Sequence, residues 1–299
     1  MIISDILDFL RGEGIPFEFA GSEMDTVDGF SSLEHYKLGS FTWIKKQGNI
    51  PDSFDLSCLA LVFVSERVDA GFAPNVIRTV ESKRAFFSTI EHFYTQEEER
   101  PAVGQFTYIS PKVKLGKNVR IGHNCTLDGD ITIGDGTVIW NNVVIVNRVS
   151  IGKNCDIRSG AVIGHDGLAY TEDADHKKTM VKHFGGVSIG DRVLISDNVC
   201  VNRGTIDDTV LESGVKIGGL GHIAHNCCVG ENSALLIDTV LCGSVTVGRN
   251  SCLSGATVLN QTKLGDGSYA GIRSVVLRNV APGQQVFGYP ARKFLTPKK

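Results

Sequence analysis

The sequence predicts a mainly β protein: a parallel β-helix of hexapeptide repeats behind a small N-terminal α/β domain. Aliphatic residues recur every six positions through most of the chain after residue 100, and small or β-branched residues recur four places behind them. The first hundred residues show neither pattern. A short fixed period of this kind is the signature of a solenoid, in which each repeat buries its apolar side only against its neighbours.

In chain order, residues 1–100 form the first domain. Residues 2–12 place apolar side chains at helical spacing and read as a short amphipathic helix. Residues 59–64, Leu-Ala-Leu-Val-Phe-Val, read as a buried strand. Residues 76–94 carry Ile77, Val80, Phe87, Ile90 and Tyr94 between charges, which predicts a helix. The acidic stretch 95–101 is the expected linker.

The β-helix is expected over residues 101–280. Ile109, Leu115, Ile121, Leu127, Ile133, Ile139, Ile145, Ile151, Ile157 and Ile163 stand six apart without a miss. With about a quarter of the chain Ile, Leu or Val, chance odds for ten such hits are on the order of one in a million. The spacing resumes at Ile189, Ile195 and Val201, and again from Leu211 through Ile217, Ile223, Leu241 and Leu253 to Leu259. Small or β-branched residues such as Cys125, Ala161, Cys227 and Thr257 hold the second register. Period six fits neither the 3.6 of a helix nor the two of a plain strand. It fits a coil of short strands in which each hexad makes one flat side and its aliphatic fills the interior.

Two breaks interrupt the spacing, at residues 164–187 and at 202–209. Long loops thrown out of a compact fold commonly carry function. After Leu264 the repeat fades, and residues 281–299 read as a tail that begins with a loop ending the stack.

Composition narrows the function. Of 299 residues, 42% are hydrophobic and 21% charged, enough for a folded core, and 34 are Gly. A net charge of −3 argues against a protein that coats nucleic acid or anionic membrane. No apolar run approaches the roughly 18 residues of a membrane span, and the first twelve residues lack a signal layout. The expected location is the cytoplasm, with no nucleic-acid partner. No Cys-x-x-Cys pair occurs among the eight cysteines, and Cys125, Cys155 and Cys227 take small inward positions as compact hydrophobes.

The cluster most suited to chemistry is His222-Ile-Ala-His225-Asn226. His225 stands two places after Ile223, in the turn of its hexad, so its imidazole points outward. Histidine suits removal of a proton from an attacking amine or hydroxyl; the bland alternative is an ordinary turn histidine. His123 and His165 occupy the same hexad position, His176 and His183 lie in the longer insertion, and His35 and His92 belong to the first domain.

Four stretches carry a resemblance: Val27-Asp-Gly-Phe-Ser-Ser-Leu-Glu34 with Gly39-Ser-Phe41; Gly164-His-Asp-Gly-Leu-Ala-Tyr170; Asn202-Arg-Gly-Thr-Ile-Asp-Asp-Thr209; and Ile223-Ala-His-Asn226. With the hexads, the chain resembles over nearly its whole length the UDP-3-O-acylglucosamine N-acyltransferases of lipid A synthesis, and more broadly hexapeptide-repeat nucleotide-sugar N-acyltransferases. The resemblance implies a left-handed β-helix, a homotrimer with three active sites between subunits, and an N-terminal domain that holds the uridine of a UDP-sugar. Burial of the flat sides of a coil stack also favours a trimer. Matched residue by residue, His225 is the general base and Gly243 supplies the backbone N–H for the oxyanion. Phe41 stacks on uracil with Trp43 as a helper. Asp166, Asp207 and Asp208 lie near the acceptor, together with His222 and Asn226. The donor is expected beside the last coils, near Gly255, Ala256 and Gly271, with Tyr289 in the chain's ending.

The departures from that family shape the expected donor. Ile44-Lys-Lys-Gln47 replaces an Asn-Pro-Lys-Tyr run beside the nucleotide, Ile217-Gly-Gly219 replaces Ile-Asp-Asn, and Thr262 stands where a second histidine belongs. The ending Phe287-Gly-Tyr-Pro-Ala-Arg292 is similar to that of hexapeptide acetyltransferases that use CoA. The expected reaction is therefore short-chain acyl transfer from acyl-CoA to the amine of a nucleotide-linked amino sugar, with no resident metal or cofactor. The alternative is the lipid A reaction itself, with acyl carrier protein as donor. Two rivals remain: a zinc enzyme of the γ carbonic anhydrase kind using His222 and His225, for which no third ligand is evident, and a non-catalytic trimeric sugar-nucleotide binder.

Overall fold

The computed structural model describes residues 1–50, 54–71, 73–95 and 101–293. They fall into two compact units, Met1–Glu98 and Glu99–Lys299. Most of the predicted linker, and residues 294–299 of the predicted tail, lie outside the described residues.

In the first unit, helix α1 (Ile3–Gly12) buries Ile3, Ile6, Leu7 and Leu10, one face of a 3.6-residue period. Strands β1 (Glu18–Ala20), β2 (Phe41–Ile44), β3 (Leu61–Val64) and β4 (Val76–Arg78) form one sheet in the order β1-β4-β3-β2. The pairs β2·β3 and β3·β4 are parallel and β1·β4 is antiparallel. Helix α2 (Ser82–Tyr94) follows. The helix expected over 76–94 is thus shorter than predicted. The β-branched pair Val76-Ile77 goes into the sheet instead, hydrogen-bonded on both sides.

Phe41 also departs from expectation. It is completely buried, with the rings of Phe63, Phe86 and Tyr94 centred 5.7, 5.6 and 6.0 Å away. An aromatic enclosed by the unit's own rings has no face to offer a nucleobase, so the expected stacking on uracil is overturned. Trp43 is half-buried, donates its indole N–H to Ser82 Oγ at 3.1 Å and stacks towards Phe86.

The second unit is a parallel β-solenoid of about 13 turns. Its interior is three columns of register partners. One runs through Ile145, Ile163, Val201, Ile223, Leu241, Val258 and Val276. A second passes through Ile151, Ile189, Leu211, Val229, Val247 and Leu264. The third holds Ile139, Ile157, Ile195, Ile217, Leu235, Leu253 and Ala270. None of these side chains is more than 4% exposed. Corners are turned by residues with positive φ, among them Asn124, Asn142, Asn154, Asn226 and Asn250; asparagine tolerates the left-handed region through local hydrogen bonding.

The interior thiols of Cys125, Cys155 and Cys227 are raised in pKa by burial, that of Cys227 to about 12. They are inert packing groups.

The two breaks become loops between successive rungs. Ile163 pairs with Val201 across the longer one, which contains an antiparallel hairpin of Tyr170–Glu172 with Lys178–Met180. The shorter one lies between Val201 and Thr209. The predicted spacing slips once. Leu241 partners Val258, seventeen residues on, where Ile223 and Leu241 are eighteen apart. Val258 therefore points inward while Leu259 is 44% exposed, and Ala256 replaces Thr257 in the small inward slot. The repeat also continues past Leu264, through Ala270 and Val276; alanine is too small to register as an aliphatic in the pattern.

Candidate functional site

His225 follows the buried Ile223 at a corner, where the backbone turns through Asn226 at φ +60°. The corner is pinned from both sides. Ser244 N–H donates to the His225 carbonyl at 2.9 Å, and Asn226 N–H donates to Thr209 Oγ1 at 2.9 Å.

The imidazole is oriented by its neighbour. Asn226 Oδ1 accepts the Thr205 backbone N–H at 3.1 Å and the Thr205 hydroxyl at 2.8 Å, and lies 3.0 Å from His225 Nδ1. A backbone N–H is only ever a donor, so the Asn226 atom it meets is the oxygen. His225 Nδ1 must then carry the hydrogen in that contact, which leaves the lone pair of the neutral ring on Nε2. The ring is held with its accepting nitrogen defined.

Two glycines make room for it. A Cβ on Gly243 would stand 2.7 Å from His225 Cε1 and 2.8 Å from Nε2, and one on Gly167 would stand 2.9 Å from Cδ2. The ring is therefore sandwiched between the next coil and the long loop, at separations that only glycine allows. Among the described residues the Gly243 N–H has no hydrogen-bond partner. A third neighbour is His183, fully buried, whose ring meets that of His225 edge to face at 5.5 Å and 88°.

The loops that enclose this corner hold one another. Asn202 Nδ2 donates to the carbonyls of His165 and Asp166 at 3.4 and 3.3 Å, and Arg203 Nε donates to the Gly185 carbonyl at 2.7 Å. Asp166 Oδ2 accepts the His183 N–H at 3.1 Å, and its other oxygen lies 3.7 Å from Arg203 Nε. Asp208 takes both guanidinium nitrogens of Arg148, at 2.5 and 3.1 Å, and the Gly186 N–H at 2.7 Å.

The structure places His225 against Gly243, as the resemblance implied, and gives several of the other expected site residues partners within the chain. Asn226 was expected to bind acceptor; its oxygen is occupied by Thr205 and His225, so it orients the imidazole. Asp208 was expected on the acceptor too, yet Arg148 engages both its oxygens. Asp166 anchors the loop and is partly exposed, and Asp207 is exposed. His222 lies half-buried on the outside of the strand His222–Ile223, its pKa lowered by desolvation. Ala256 points into the interior, and the Phe287 ring lies directly on Gly271, so neither presents a surface to a donor. Gly255 is buried at its corner and Tyr289 is 85% exposed. Thr262, matched to a second histidine, is likewise interior. Missed entirely were Thr205, Gly167 and the close approach of His183. The first two lie inside motifs that the sequence singled out; nothing in the spacing marks the third.

The first unit holds a separate hollow of about 360 Å³, lined by Lys45, Lys46, Gln47, Ser65, Glu66, Arg67, Val68 and Val80. It lies where the parallel strands β2 and β3 end, the usual place for a ligand beside such strands. Arg78 braces its floor by donating to the carbonyls of Ser65, Glu66 and Val68. Three cations and no aromatic ring line it. The sequence noted Lys45 and Lys46 only as a departure from a family run.

A family model described as bacterial transferase hexapeptide (six repeats) matches residues 130–165. That stretch is a hexapeptide-repeat segment. The chain is 37% identical over 155 residues to UDP-3-O-acylglucosamine N-acyltransferase 2 of Legionella pneumophila, covering 47% of this chain and 41% of that one. It is 47% identical over 85 residues to the UDP-3-O-acylglucosamine N-acyltransferase of Xanthomonas axonopodis, covering 28% and 25%. The chain thus spans about two fifths or less of the length of these curated relatives. Among solved structures, LpxA from Acinetobacter baumannii superposes with a TM-score of 0.59 at 26% identity, over 65% of this chain and 74% of that one. The UDP-N-acetylglucosamine O-acyltransferase of Moraxella catarrhalis has the same TM-score at 23% identity and shares the fold.

Among the described residues, no group of three or more His, Cys, Asp or Glu side chains is placed to hold a metal ion. No helix there is long and apolar enough to cross a membrane.

Proposed function

We propose that this chain is an N-acyltransferase that moves an acyl group from a thioester to the amine of UDP-3-O-acylglucosamine. The relatives are named for that acceptor, and this favours the lipid A type of reaction over short-chain transfer from acyl-CoA. The observation that carries the reading is His225, with its tautomer fixed by Asn226 and its ring seated on Gly243.

The amine nitrogen attacks the thioester carbonyl and forms the new C–N bond. Its proton passes to His225 Nε2, a general-base contribution of roughly 10²–10⁴-fold. The unpartnered Gly243 N–H donates to the carbonyl oxygen as negative charge develops there, a contribution on the order of 3 kcal/mol. The C–S bond then breaks, and the departing thiolate takes the proton from His225. Charge on Lys45, Lys46 and Arg67 suits the hollow in the first unit to the diphosphate of a nucleotide.

The active form is a homotrimer. One flat side of the solenoid presents an outward column of Val144, Val162, Cys200, His222, Val240, Thr257 and Val275, apolar except at His222 and Thr257, and the adjoining corners expose Leu220, Ile237 and Ile272 by 57%, 64% and 75%. An apolar strip of this kind on a β-solenoid is a surface for another subunit. Analytical ultracentrifugation giving a monomer at micromolar concentration would remove this part.

The deciding assay supplies UDP-3-O-acylglucosamine with acyl-CoA in one arm and acyl carrier protein thioester in the other, and reads free thiol. Turnover is expected in at least one arm, and His225→Ala should lower it at least about a hundredfold. No transfer to this acceptor from either donor would sink the reading.

A further inference from the structure

His183 has a feature that the reaction above does not use. Its Nδ1 lies 3.0 Å from the Val181 carbonyl oxygen. A carbonyl only accepts, so Nδ1 carries the hydrogen and Nε2 of the neutral ring carries a lone pair. That Nε2 is buried and, among the described residues, has no hydrogen-bond partner. A buried acceptor left unmatched costs about 1–3 kcal/mol, and such groups call for a reason. The backbone N–H of the same residue donates to Asp166 and the ring Nδ1 meets the Val181 carbonyl, so both backbone and ring are tethered.

Its surroundings supply the reason. His183 Nε2 and His225 Cδ2 lie 3.4 and 2.9 Å from the same point beside Gly167, where a Cβ would be, and the two rings are perpendicular at 5.5 Å. We propose that His183 is a positioning residue for His225, whose buried lone pair supports the neighbouring ring once that ring has taken up a proton. No bond to His183 forms or breaks; the proton that leaves the substrate is held on His225 Nε2 until the departing thiolate takes it. In the neutral ring the edge carries little charge and the lone pair is nearly wasted. In the imidazolium every edge hydrogen is strongly positive, and an adjacent lone pair in a water-excluded place stabilises it.

The other titratable groups on the enclosing elements leave this role to His183. Asp166 is engaged with Arg203 and with the His183 N–H, and Asp208 is held by Arg148. His165 and Asp207 are exposed, His222 sits on the strand before the corner, and the next coil contributes the uncharged Gly243 and Cys242.

The inference rests on His225 acting as the base, so its test reads the ring directly. Titrating the ¹⁵N-labelled histidines by NMR in the full chain gives the proton affinity of His225 without any assay. His183→Phe, which keeps a ring and removes the lone pair, is expected to weaken proton binding at His225 about threefold, moving its midpoint down by about half a pH unit. His183→Gln, whose amide oxygen replaces the acceptor, should restore most of it. Where turnover is measurable, the acid limb of the rate profile should move the same way with KM for the acceptor unchanged. If His183→Phe does not fold, His183→Asn keeps the donor to Val181 and drops the Nε2 acceptor, with the same shift expected. An unchanged His225 titration in the folded variants overturns the proposal. An absence of turnover with the shift present overturns only the transferase reading.

Discussion

Asn226 Oδ1 faces His225 Nδ1 at 3.0 Å while accepting the Thr205 backbone N–H at 3.1 Å. The shorter of the two loops thereby dictates the protonation pattern of a side chain on the next rung. Thr205 identifies the oxygen, the oxygen places the hydrogen on Nδ1, and Nε2 is left to accept. Replacing Asn226 by glycine, which tolerates the same positive φ, removes the carboxamide without straining the corner. The expected result is a mixture of tautomers at His225 in ¹⁵N NMR and a turnover loss of about one to two orders of magnitude. A single Nδ1–H tautomer in that variant would show that Asn226 is not what fixes it.

Gly243 is constrained by the same ring. A methyl group there would come within 2.8 Å of His225 Nε2, closer than van der Waals contact allows, so Gly243→Ala must displace the imidazole. The solenoid itself has no reason to fail, because Leu241 and Val245 on either side keep their interior places. The expected phenotype is a near-parental melting temperature with turnover reduced at least about tenfold, since small misplacements of a base are costly. A crystal structure of the variant with His225 unmoved would contradict it.

The solenoid was legible in the sequence because each interior position takes the same kind of residue at a fixed interval, and neither property depends on distant parts of the chain. His225 was legible for a related reason, as a corner residue of its hexad, whereas Gly243 was reached only through the family resemblance. What escaped is what the loops do. Asp208, His183 and Asn226 took their roles from contacts with Arg148, Val181 and Thr205, and no spacing encodes those pairings. Phe41 misled because an aromatic in a matched motif looks the same whether it lines a pocket or fills a core. The slip between Leu241 and Val258 was hidden by Leu259, an aliphatic that happens to stand where an unbroken hexad would put one.

That slip yields a direct comparison of neighbours. Val258 is completely buried and Leu259 is 44% exposed. Val258→Thr places a hydroxyl in an apolar interior column and should destabilise the fold by about 1–3 kcal/mol. Leu259→Thr should stay within about 0.5 kcal/mol of the parent, as surface changes do. Denaturant titrations of both variants decide the register, and the reverse order of effects would restore the uninterrupted hexad.

In the first unit, Lys45, Lys46 and Arg67 line one hollow. If this is where the diphosphate is held, Lys46→Glu combined with Arg67→Glu should weaken binding of UDP at least about tenfold, since it replaces two attractive charges with repulsive ones. Binding in the parent should also weaken as salt is raised. Isothermal calorimetry with UDP measures both, and unaltered affinity in the double variant would place the nucleotide elsewhere. Phe41→Leu is the companion variant: it should lower stability through lost ring packing in the core while leaving UDP affinity near that of the parent.

His222 ties stability to pH. Desolvation on the outside of its strand lowers its pKa from the ordinary histidine value. Between about pH 6.5, where the unfolded chain takes up a proton at this imidazole, and the lower pH at which the folded chain does so, the unfolded state binds more protons. Stability therefore rises with pH across that window and is lost as pH falls through it. His222→Val matches Val240, its register partner on the following rung, and keeps the strand's outward column apolar. Melting temperatures followed from pH 8 to pH 5 should fall less steeply in this variant than in the parent. Parallel curves would mean that the imidazole is solvated well enough in the folded protein to titrate as it does in the unfolded chain.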